Sequence, residues 1–567
     1  MPNQRISELT AVTSPSVNDV LPIVNEGATK KITIPNLVNN TLSGTTLSVS
    51  AVQLPGNFLM KSVSANNLFL GNSSTGNNNL RNSNNFVFGI NSANSLSASR
   101  SNVVMGADST KNAVFLNNNI ILGDASGGGM GFCFGSNVTS VPIPDAIENN
   151  IVMGTRAGFK LSQASFCNRV ANFDPCGTFY SYDCACGTSR NNIFLGDHTG
   201  HSAKYSCCNI MIGASAGRLL NGGFNNIFMG VQAGGRTNNS SNNVFIGLSA
   251  GVCSCNGGGN SVNIGTGAGR CAGSSSINIG YKANYFGCRV GINIGRYSGF
   301  RDIGDDNVNI GNSANCRGQS SSCRNIIIGS LAGIGCGTNN SSNVIIGDRA
   351  GGHCTNNSQG NVIIGDRAGG NAFYASNAFV GCNNVVIGRY AGSKVQHDNI
   401  VIGRGAGNGR CVLTCAIAIG RHSLTSTLSA GGANLSISIG NCAGYTHGKG
   451  NNNIFLGHGS GCNYGFDIEK AIEGCCNIFI GNNSGKGRCN NFLNGNINIG
   501  HNNYSASAYP LSAIISIGSC TRPTKSNQLA MGSYTFPLGT SSTAGASAGF
   551  LNVLLNGTER KIMFFAS

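Results

Sequence analysis

A short phrase recurs along most of the chain: an Asn, three residues of mostly apolar character, a Gly, two variable residues and a closing Ala-Gly. It returns about every 15 to 20 residues and reads NNIFMGVQAG at 225–234, NNVFIGLSAG at 242–251 and SNVIIGDRAG at 342–351. A unit this short cannot bury its own apolar face. The fixed period therefore predicts a repeat protein in which each unit packs on its neighbours.

The composition agrees with an all-β repeat protein and disagrees with an ordinary globular enzyme. The 567 residues include 84 Gly and no Trp, with 40% hydrophobic and only 10% charged residues. The net charge of +16 is spread thinly, without a dense basic run, which argues against nucleic-acid binding. No long apolar run and no charged-then-apolar leader at Met1 is present, so we expect neither a membrane span nor a secretory signal.

Each apolar triplet has the length of a short β-strand. Alternate side chains of a strand point to opposite faces, so Val344 and Ile346 share one face and Ile345 points to the other. The middle position is polar in several copies, as at Asn263 and Asn309. Because polar side chains are usually solvated, we expect the flanking positions to be buried and the middle position to face outward.

A Gly follows nearly every triplet and marks a sharp turn, because Gly reaches positive φ without a steric penalty. Three residues later a small residue, usually Ala, predicts a narrow interior on that side of the turn. The structural turn glycines predicted in this way are Gly196, Gly213, Gly230, Gly247, Gly347, Gly365 and Gly388.

An Asn stands four residues before most of these glycines. Stacked along the axis, the carboxamides can donate to one another and satisfy turn backbone groups; alternatively, Asn only tolerates the turn geometry. Both interpretations make the row structural. Its members are Asn192, Asn209, Asn226, Asn243, Asn343, Asn361 and Asn384.

The 24 Cys lack zinc-finger spacing, so no metal site is predicted. Four of them, Cys253, Cys271, Cys336 and Cys354, follow their turn glycines at similar distances. Strands on adjacent rungs lie about 4.8 Å apart, which suits a disulfide. Cross-rung bonds from Cys253 to Cys271 and from Cys336 to Cys354 are therefore geometrically possible, with partly buried free thiols as the alternative.

Catalytic patterns are missing from the sequence. The eight His are scattered without a partnering Ser or Cys, and the Gly-rich GTGAG at 265–269 is part of the repeat rather than a cofactor loop. We predict no catalytic residue and no cofactor, and hence no enzyme. A glycan depolymerase is the nearest enzymatic alternative; its acids would be Asp467, Glu469 and Glu473, for which a solvated loop is the simpler interpretation.

Three regions are predicted along the chain. Residues 1–60 form an N-terminal module with short strands, residues 61–518 the repeat stem, and residues 519–567 a C-terminal β-hairpin cap that turns at Asn556 and Gly557. Loop insertions interrupt the stem at about 124–149, 155–190, 421–435 and 458–476.

The repeated phrase resembles the head repeat of trimeric autotransporter adhesins, a left-handed parallel β-roll in which three chains pack side by side, and related stems of bacteriophage tail fibres. The period here is longer, and the adhesins' coiled-coil stalk and membrane anchor are missing. The opening ISELTAVTSPSVNDVLPIVNEGATKKITIPNL and the closing AGFLNVLLNGTERKIMFFAS are similar to terminal segments of phage tail-fibre and virion appendage proteins.

The resemblance implies a homotrimeric β-solenoid fibre on a bacterial virus, assembled in the host cytoplasm. Its N-terminal module would attach to a tail, baseplate or other virion protein, and the fibre would contact a host surface glycan, with no nucleic acid and no membrane insertion. A cell-surface adhesin or extracellular filament protein is the alternative. An ice-binding solenoid would need flat rows of Thr, which the repeat does not offer.

Aromatic residues in one insertion give a candidate receptor contact. Phe173, Phe179, Tyr180 and Tyr182 cluster within the insertion at 155–190. Exposed aromatic rings supply binding area at low entropic cost, so these residues are expected either to contact the receptor or to form a small local core with nearby Cys.

Overall fold

The fold is a long stack of short β-strands. The computed structural model describes residues 20–25, 28–33, 52–54, 58–63, 66–71, 83–92, 99–111, 116–128, 147–159, 189–203, 206–220, 222–237, 240–253, 259–287, 290–302, 304–316, 322–334, 339–352, 358–370, 379–409, 412–425, 433–445, 450–462, 474–486, 494–504, 511–533, 535, 547–555 and 558–565. All regular structure within these ranges is β or turn.

Most strands have three residues and coincide with the apolar triplets of the repeat. The first strands are β1 (Val20–Asn25), β2 (Ala28–Thr33), β3 (Val52–Leu54), β4 (Phe58–Val63), β5 (Asn67–Leu70), β6 (Phe86–Phe88), β7 (Val103–Met105), β8 (Leu116–Asn117), β9 (Ile120–Leu122), β10 (Ile147–Glu148), β11 (Ile151–Met153) and β12 (Ile193–Leu195). They continue as β13 (Ile210–Ile212), β14 (Ile227–Met229), β15 (Val244–Ile246), β16 (Val262–Ile264), β17 (Ile277–Ile279), β18 (Gly291–Ile294), β19 (Asn307–Ile310), β20 (Ile326–Ile328), β21 (Val344–Ile346), β22 (Val362–Ile364), β23 (Phe379–Val380) and β24 (Val385–Ile387). The last are β25 (Lys394–Val395), β26 (Ile400–Ile402), β27 (Ile417–Ile419), β28 (Ile437–Ile439), β29 (Ile454–Leu456), β30 (Ile478–Ile480), β31 (Ile497–Ile499), β32 (Ile515–Ile517), β33 (Leu529–Met531), β34 (Ser547–Leu555) and β35 (Thr558–Phe565).

One parallel ladder joins the repeats from β5 to β33. Each strand pairs with the strand of the next repeat in the same register, so that Phe228 lies beside Phe245 and Ile345 beside Ile363. A parallel ladder with one short strand per repeat is a β-solenoid, in which successive turns rise by about 4.8 Å. The prediction of a parallel β-solenoid stem is confirmed by this ladder.

The orientation predicted for the strand residues is wrong. The middle residue of each triplet from β5 to β32 is buried, as at Phe228 and Phe245, while the two flanking residues are half-buried or exposed. The middle asparagines are buried as well: Asn278 Nδ2 donates to Asn263 Oδ1 at 2.7 Å. Stacked carboxamides satisfy one another, which offsets the cost of burying them, so the polar residues occupy the inside of the solenoid.

The middle residues form an inner column that changes character along the stack. Buried apolar residues make two clusters, one from Phe69 to Ala250 and the other from Ala314 to Ile514. Between them, at β16 to β19, the column consists of Asn263, Asn278, Asn293 and Asn309. A polar segment therefore separates two apolar cores.

The two ends of the ladder differ. At the N-terminal end, the antiparallel pair β3–β4 continues into the ladder through β4, which pairs antiparallel with β5. The strands β34 and β35 pair antiparallel as a hairpin. Because this hairpin forms a sheet of its own in the described part of the chain, the predicted cap at the C-terminal end stays a prediction.

The described turns extend beyond the predicted boundaries of the stem. Rungs continue through residues 128, 159, 425 and 462, about five residues into each predicted insertion, because the second half of the turn after the Gly belongs to the repeat. The ladder also continues past residue 518 to β33. The pair β1–β2 forms an antiparallel hairpin within the predicted N-terminal module.

Candidate functional site

The predicted turn glycines all have positive φ and lie in one column along the stack. Their φ values fall between 126° and 137°, a region that L side chains rarely adopt. The column is also tightly packed: a Cβ added to Gly247 would lie 2.7 Å from the carbonyl oxygen of Gly265. Backbone conformation and close approach between rungs both restrict these positions to Gly. They are Gly196, Gly213, Gly230, Gly247, Gly347, Gly365 and Gly388.

The Asn row forms hydrogen-bonded columns inside the solenoid. Asn226 Nδ2 donates to Asn209 Oδ1 at 3.0 Å and to the carbonyl oxygen of Ser240 at 2.8 Å. Its own Oδ1 accepts from both the backbone N–H and the Nδ2 of Asn243, at 3.0 and 2.9 Å. Each carboxamide thus links two rungs and satisfies backbone groups that the turn leaves unpaired.

The other predicted members of the row lie in the same kind of environment and are buried: Asn192, Asn209, Asn243, Asn343, Asn361 and Asn384. The row is interrupted at β16 to β18, where Ser261, Ser276 and Gly291 take its place. In these same rungs the inner column becomes Asn. Through β16 to β18 the stack therefore keeps an internal carboxamide column, but at a different position of the strand; at β27 and β28 Ala416 and Ser436 stand in the row instead.

The buried acid of the polar segment is Asp302. Its carboxylate accepts from Asn309 Nδ2 at 2.8 Å, from Asn307 Nδ2 at 3.1 Å and from the backbone N–H of Gly304 at 3.1 Å. Burial raises the pKa of Asp302 to about 6, and these hydrogen bonds oppose that shift without cancelling it. The polar segment thus contains a group that titrates near neutral pH.

The outer face of the ladder is an apolar surface made of residues that the sequence-based interpretation had directed inward. Two of the three residues of each strand point outward, and they are mostly Ile, Val, Leu or Met. Met105, Met153 and Met229 each remain 39% exposed at the last position of their strands. An apolar strip therefore runs along the stack. The sequence signal for it was the apolar residue that precedes nearly every turn Gly.

The cysteines predicted to pair divide into two groups. Cys253 and Cys271 are thiols in the structure. Their 18-residue separation equals the register shift between β15 and β16, where Val244 lies beside Val262, so they hold equivalent places on adjacent rungs. Their pairing stays a prediction. Cys336 and Cys354 lie outside the described residues.

The candidate receptor loop with Phe173, Phe179, Tyr180 and Tyr182 lies outside the described residues, as do Asp467, Glu469 and Glu473. In the described ranges, no cluster of three or more His, Cys, Asp or Glu side chains is placed to hold a metal ion. Nor does any helix within these ranges have the length and apolarity needed to cross a membrane.

Neither a protein-family model nor a curated protein sequence matches the chain. Two features distinguish the described part of the chain: an internal carboxamide column that links most rungs, and an apolar strip on the outside.

Proposed function

We propose that the chain is the structural subunit of a fibre on a bacterial virus, such as a tail fibre, built from three copies packed side by side. The N-terminal module would attach the fibre to another virion protein, and the fibre would take part in adsorption to the host. The likeness of the repeat and of both terminal segments to phage fibre proteins supports the viral part of this proposal.

The observation that carries the proposal is the apolar strip along the outer face of the ladder. Monomeric soluble proteins rarely leave a contiguous apolar surface of this kind exposed, because covering it gains about 25 cal/mol per Å². The strip repeats with every rung, so a surface of the same period fits it best. A second and third copy of the chain supply such a surface around a threefold axis.

The solution mass of the purified chain tests the assembly. Light scattering coupled to size-exclusion chromatography is expected to give about three times the 58.1 kDa mass of one chain on an elongated particle. A compact particle with the mass of one chain would contradict the trimer.

A pair of matched variants tests which surface is involved. The triple variant Met105→Glu, Met153→Glu, Met229→Glu places charges on the apolar strip, and we expect it to shift the mass toward one chain. The control Ile90→Glu, Val231→Glu, Leu248→Glu changes residues that are 58%, 48% and 50% exposed but follow the turn Gly. If neither variant loses assembly, the apolar strip is not the interface. If both lose it equally, the strip is not distinguished from the rest of the outer surface, and the assignment of the interface to the strip is contradicted.

The viral origin needs a separate measurement, because a cell-surface adhesin could share the same stem. Antibodies raised against the purified chain are expected to label appendages of intact virus particles in electron micrographs. Labelling of a bacterial cell surface without virus would favour the adhesin.

A further inference from the structure

The polar segment of the stack carries an unusual outer surface. The turns that follow β17 and β18 present five aromatic rings, those of Tyr281, Tyr285, Phe286, Tyr297 and Phe300. Tyr281 and Tyr297 follow the turn glycines of adjacent rungs, and Tyr297 N–H donates to the carbonyl oxygen of Tyr281 at 2.9 Å. The solenoid register thus brings together rings that are separated in sequence.

The rings contact one another in a continuous cluster. Tyr281 and Tyr297 meet edge to face with centroids 5.3 Å apart, and Tyr297 meets Phe300 in the same way at 5.4 Å. Phe300 stacks on Tyr285 at 5.6 Å. Phe286 packs edge to face on Tyr285 at 4.6 Å. Tyr281 and Phe286, at the two ends of the cluster, are 41% and 44% exposed.

Four cations surround the rings: Arg270, Lys282, Arg296 and Arg301. Lys282 Nζ lies 5.2 Å from the centroid of Tyr281 and 5.5 Å from that of Tyr285. The guanidinium carbon of Arg296 lies 5.1 Å from the centroid of Tyr297. Arg270 lies 5.2 Å from Tyr285 and donates to its hydroxyl oxygen, and Arg301 lies 6.0 Å from Phe300. We call these rings and cations the aromatic–cation patch.

The cations of this patch lie against aromatic rings, and the ion pairs observed in the described ranges lie elsewhere. Such pairs join Lys111 to Asp108, His198 to Asp197 and Arg389 to Asp366, and none of these includes one of the four cations. The acid that follows Arg301 in the chain, Asp302, is buried and directed at Asn307, Asn309 and Gly304 instead. The aromatic–cation patch is therefore a concentrated positive surface on a stem with few charges.

We propose that the aromatic–cation patch binds a uronic-acid polysaccharide. The exposed rings of Tyr281 and Phe286 would pack against the C–H faces of sugar rings, and Arg296, Arg301 and Lys282 would pair with the uronate carboxylates. Guanidinium groups suit carboxylates because their planar forks donate two parallel hydrogen bonds. This proposal deepens the proposed function, because it assigns the contact with the host glycan to the stem. Only the biological role of the binding site rests on the proposed function.

A single-stranded nucleic acid is the competing ligand for a surface of rings and cations. Proteins of that class use a positively charged groove with successive stacking platforms. Here three of the four ring contacts described are edge to face, so the rings do not form a series of parallel platforms. The exposed rings are separate from one another and are flanked by cations. Such a surface fits a sugar polymer whose charges are spaced along the chain better than it fits a stack of nucleic-acid bases.

The chain provides a matched control at another rung. Arg389 and Tyr390 follow the turn Gly388 just as Arg296 and Tyr297 follow Gly295, and Arg389 lies 4.9 Å from the centroid of Tyr390. Arg389, however, is paired with Asp366 at 3.0 Å. Removing either arginine changes the net charge equally, but only Arg296 belongs to the aromatic–cation patch.

Biolayer interferometry with the full-length chain tests the proposal, using immobilised hyaluronan and alginate as two uronate polymers, dextran as a neutral polymer and oligothymidine as the nucleic acid. We expect binding to at least one uronate polymer, weakened by salt, and none to dextran. Arg296→Gln is expected to weaken binding about tenfold and Tyr281→Ser about fivefold. Arg389→Gln should change it by less than about twofold.

Several outcomes would overturn the proposal: no binding to either uronate polymer, an equal loss for Arg296→Gln and Arg389→Gln, or preferential binding of oligothymidine. Melting curves of the three variants show whether each one is folded. The solution mass of the same sample reports on the fibre independently. A monomer that binds uronate through Arg296 would refute the trimer and support the binding site. A trimer that does not bind uronate would support the trimer and refute the binding site.

Discussion

Turn glycines tolerate no side chain, because two constraints coincide at each of them. Gly247 has φ 130°, and a Cβ there would lie 2.7 Å from two backbone atoms of Gly265. We predict that Gly247→Ala destabilises the fold by about 3 kcal/mol, seen as a lower melting temperature. Gly495 is the control: it has φ 67° with open space around its Cβ position, so Gly495→Ala should cost only about 1 kcal/mol. Equal losses would refute the close-approach argument.

The internal carboxamides are the second restricted class of residue. Asn226→Ala would remove the oxygen that accepts from the backbone N–H and the Nδ2 of Asn243, and one of the two donors to Asn209 Oδ1; the backbone N–H of residue 226 remains as the other. Unsatisfied buried groups are costly, so we expect a loss of about 3 kcal/mol in thermal or chemical unfolding. The neighbouring Asn225 is exposed at φ 57°, and Asn225→Gly, which keeps that conformation available, should have little effect. A larger loss in Asn225→Gly would contradict the assignment.

At the scale of the structural element, the polar segment at β16 to β19 should make stability depend on pH. Asp302 has a folded pKa of about 6, raised from 3.8 mainly by burial. Between these values the folded state holds a proton that the unfolded chain releases, so stability falls as pH rises from about 4 to 6 and stays lower above that. The shift corresponds to a penalty on the order of 3 kcal/mol at pH 7.

Melting temperatures at pH 5 and pH 7 measure this effect. We expect the wild type to melt at a lower temperature at pH 7 than at pH 5, and Asp302→Asn to reduce that difference. Asp306→Asn serves as the control, because Asp306 is exposed at φ 58°, a conformation that Asn also adopts. If Asp302→Asn leaves the pH dependence unchanged, the carboxyl group is not the cause.

For the whole molecule, we expect unpaired strand edges at the ends of the ladder to promote aggregation. The edge of β5 is covered by β4, which pairs with it from Met60 to Val63. Deleting residues 1–63 would expose that edge, and we expect larger aggregates in size-exclusion chromatography. Deleting residues 547–567 removes a hairpin that forms its own sheet and should leave the elution unchanged. Aggregation only after the second deletion would show that the hairpin covers the far end.

The repeated phrase was sufficient to predict the strands, the turn glycines' positions and the stacking of the repeats; that the strands run parallel was implied by the likeness to adhesin and tail-fibre stems. These features are local: a triplet of apolar residues sets each strand, a Gly permits each turn, and a fixed period forces equivalent residues into columns. The spacing between repeats also predicts which residues share a column of the stack. Asn209 and Asn226 are one such pair, and Cys253 and Cys271 are another.

Only the tertiary structure decided which side of each strand is inside. Alternate side chains of a strand point to opposite faces, but this alternation does not tell which face is inside. The prediction therefore relied on polarity and placed Asn263 and Asn309 on the outside. In the stack each carboxamide meets another at hydrogen-bonding distance, as between Asn278 and Asn263, which makes burial of Asn acceptable and leaves Ile and Val on the outside. The aromatic–cation patch depends on the stack in the same way, because Tyr281 and Tyr297 become neighbours only when successive rungs pair.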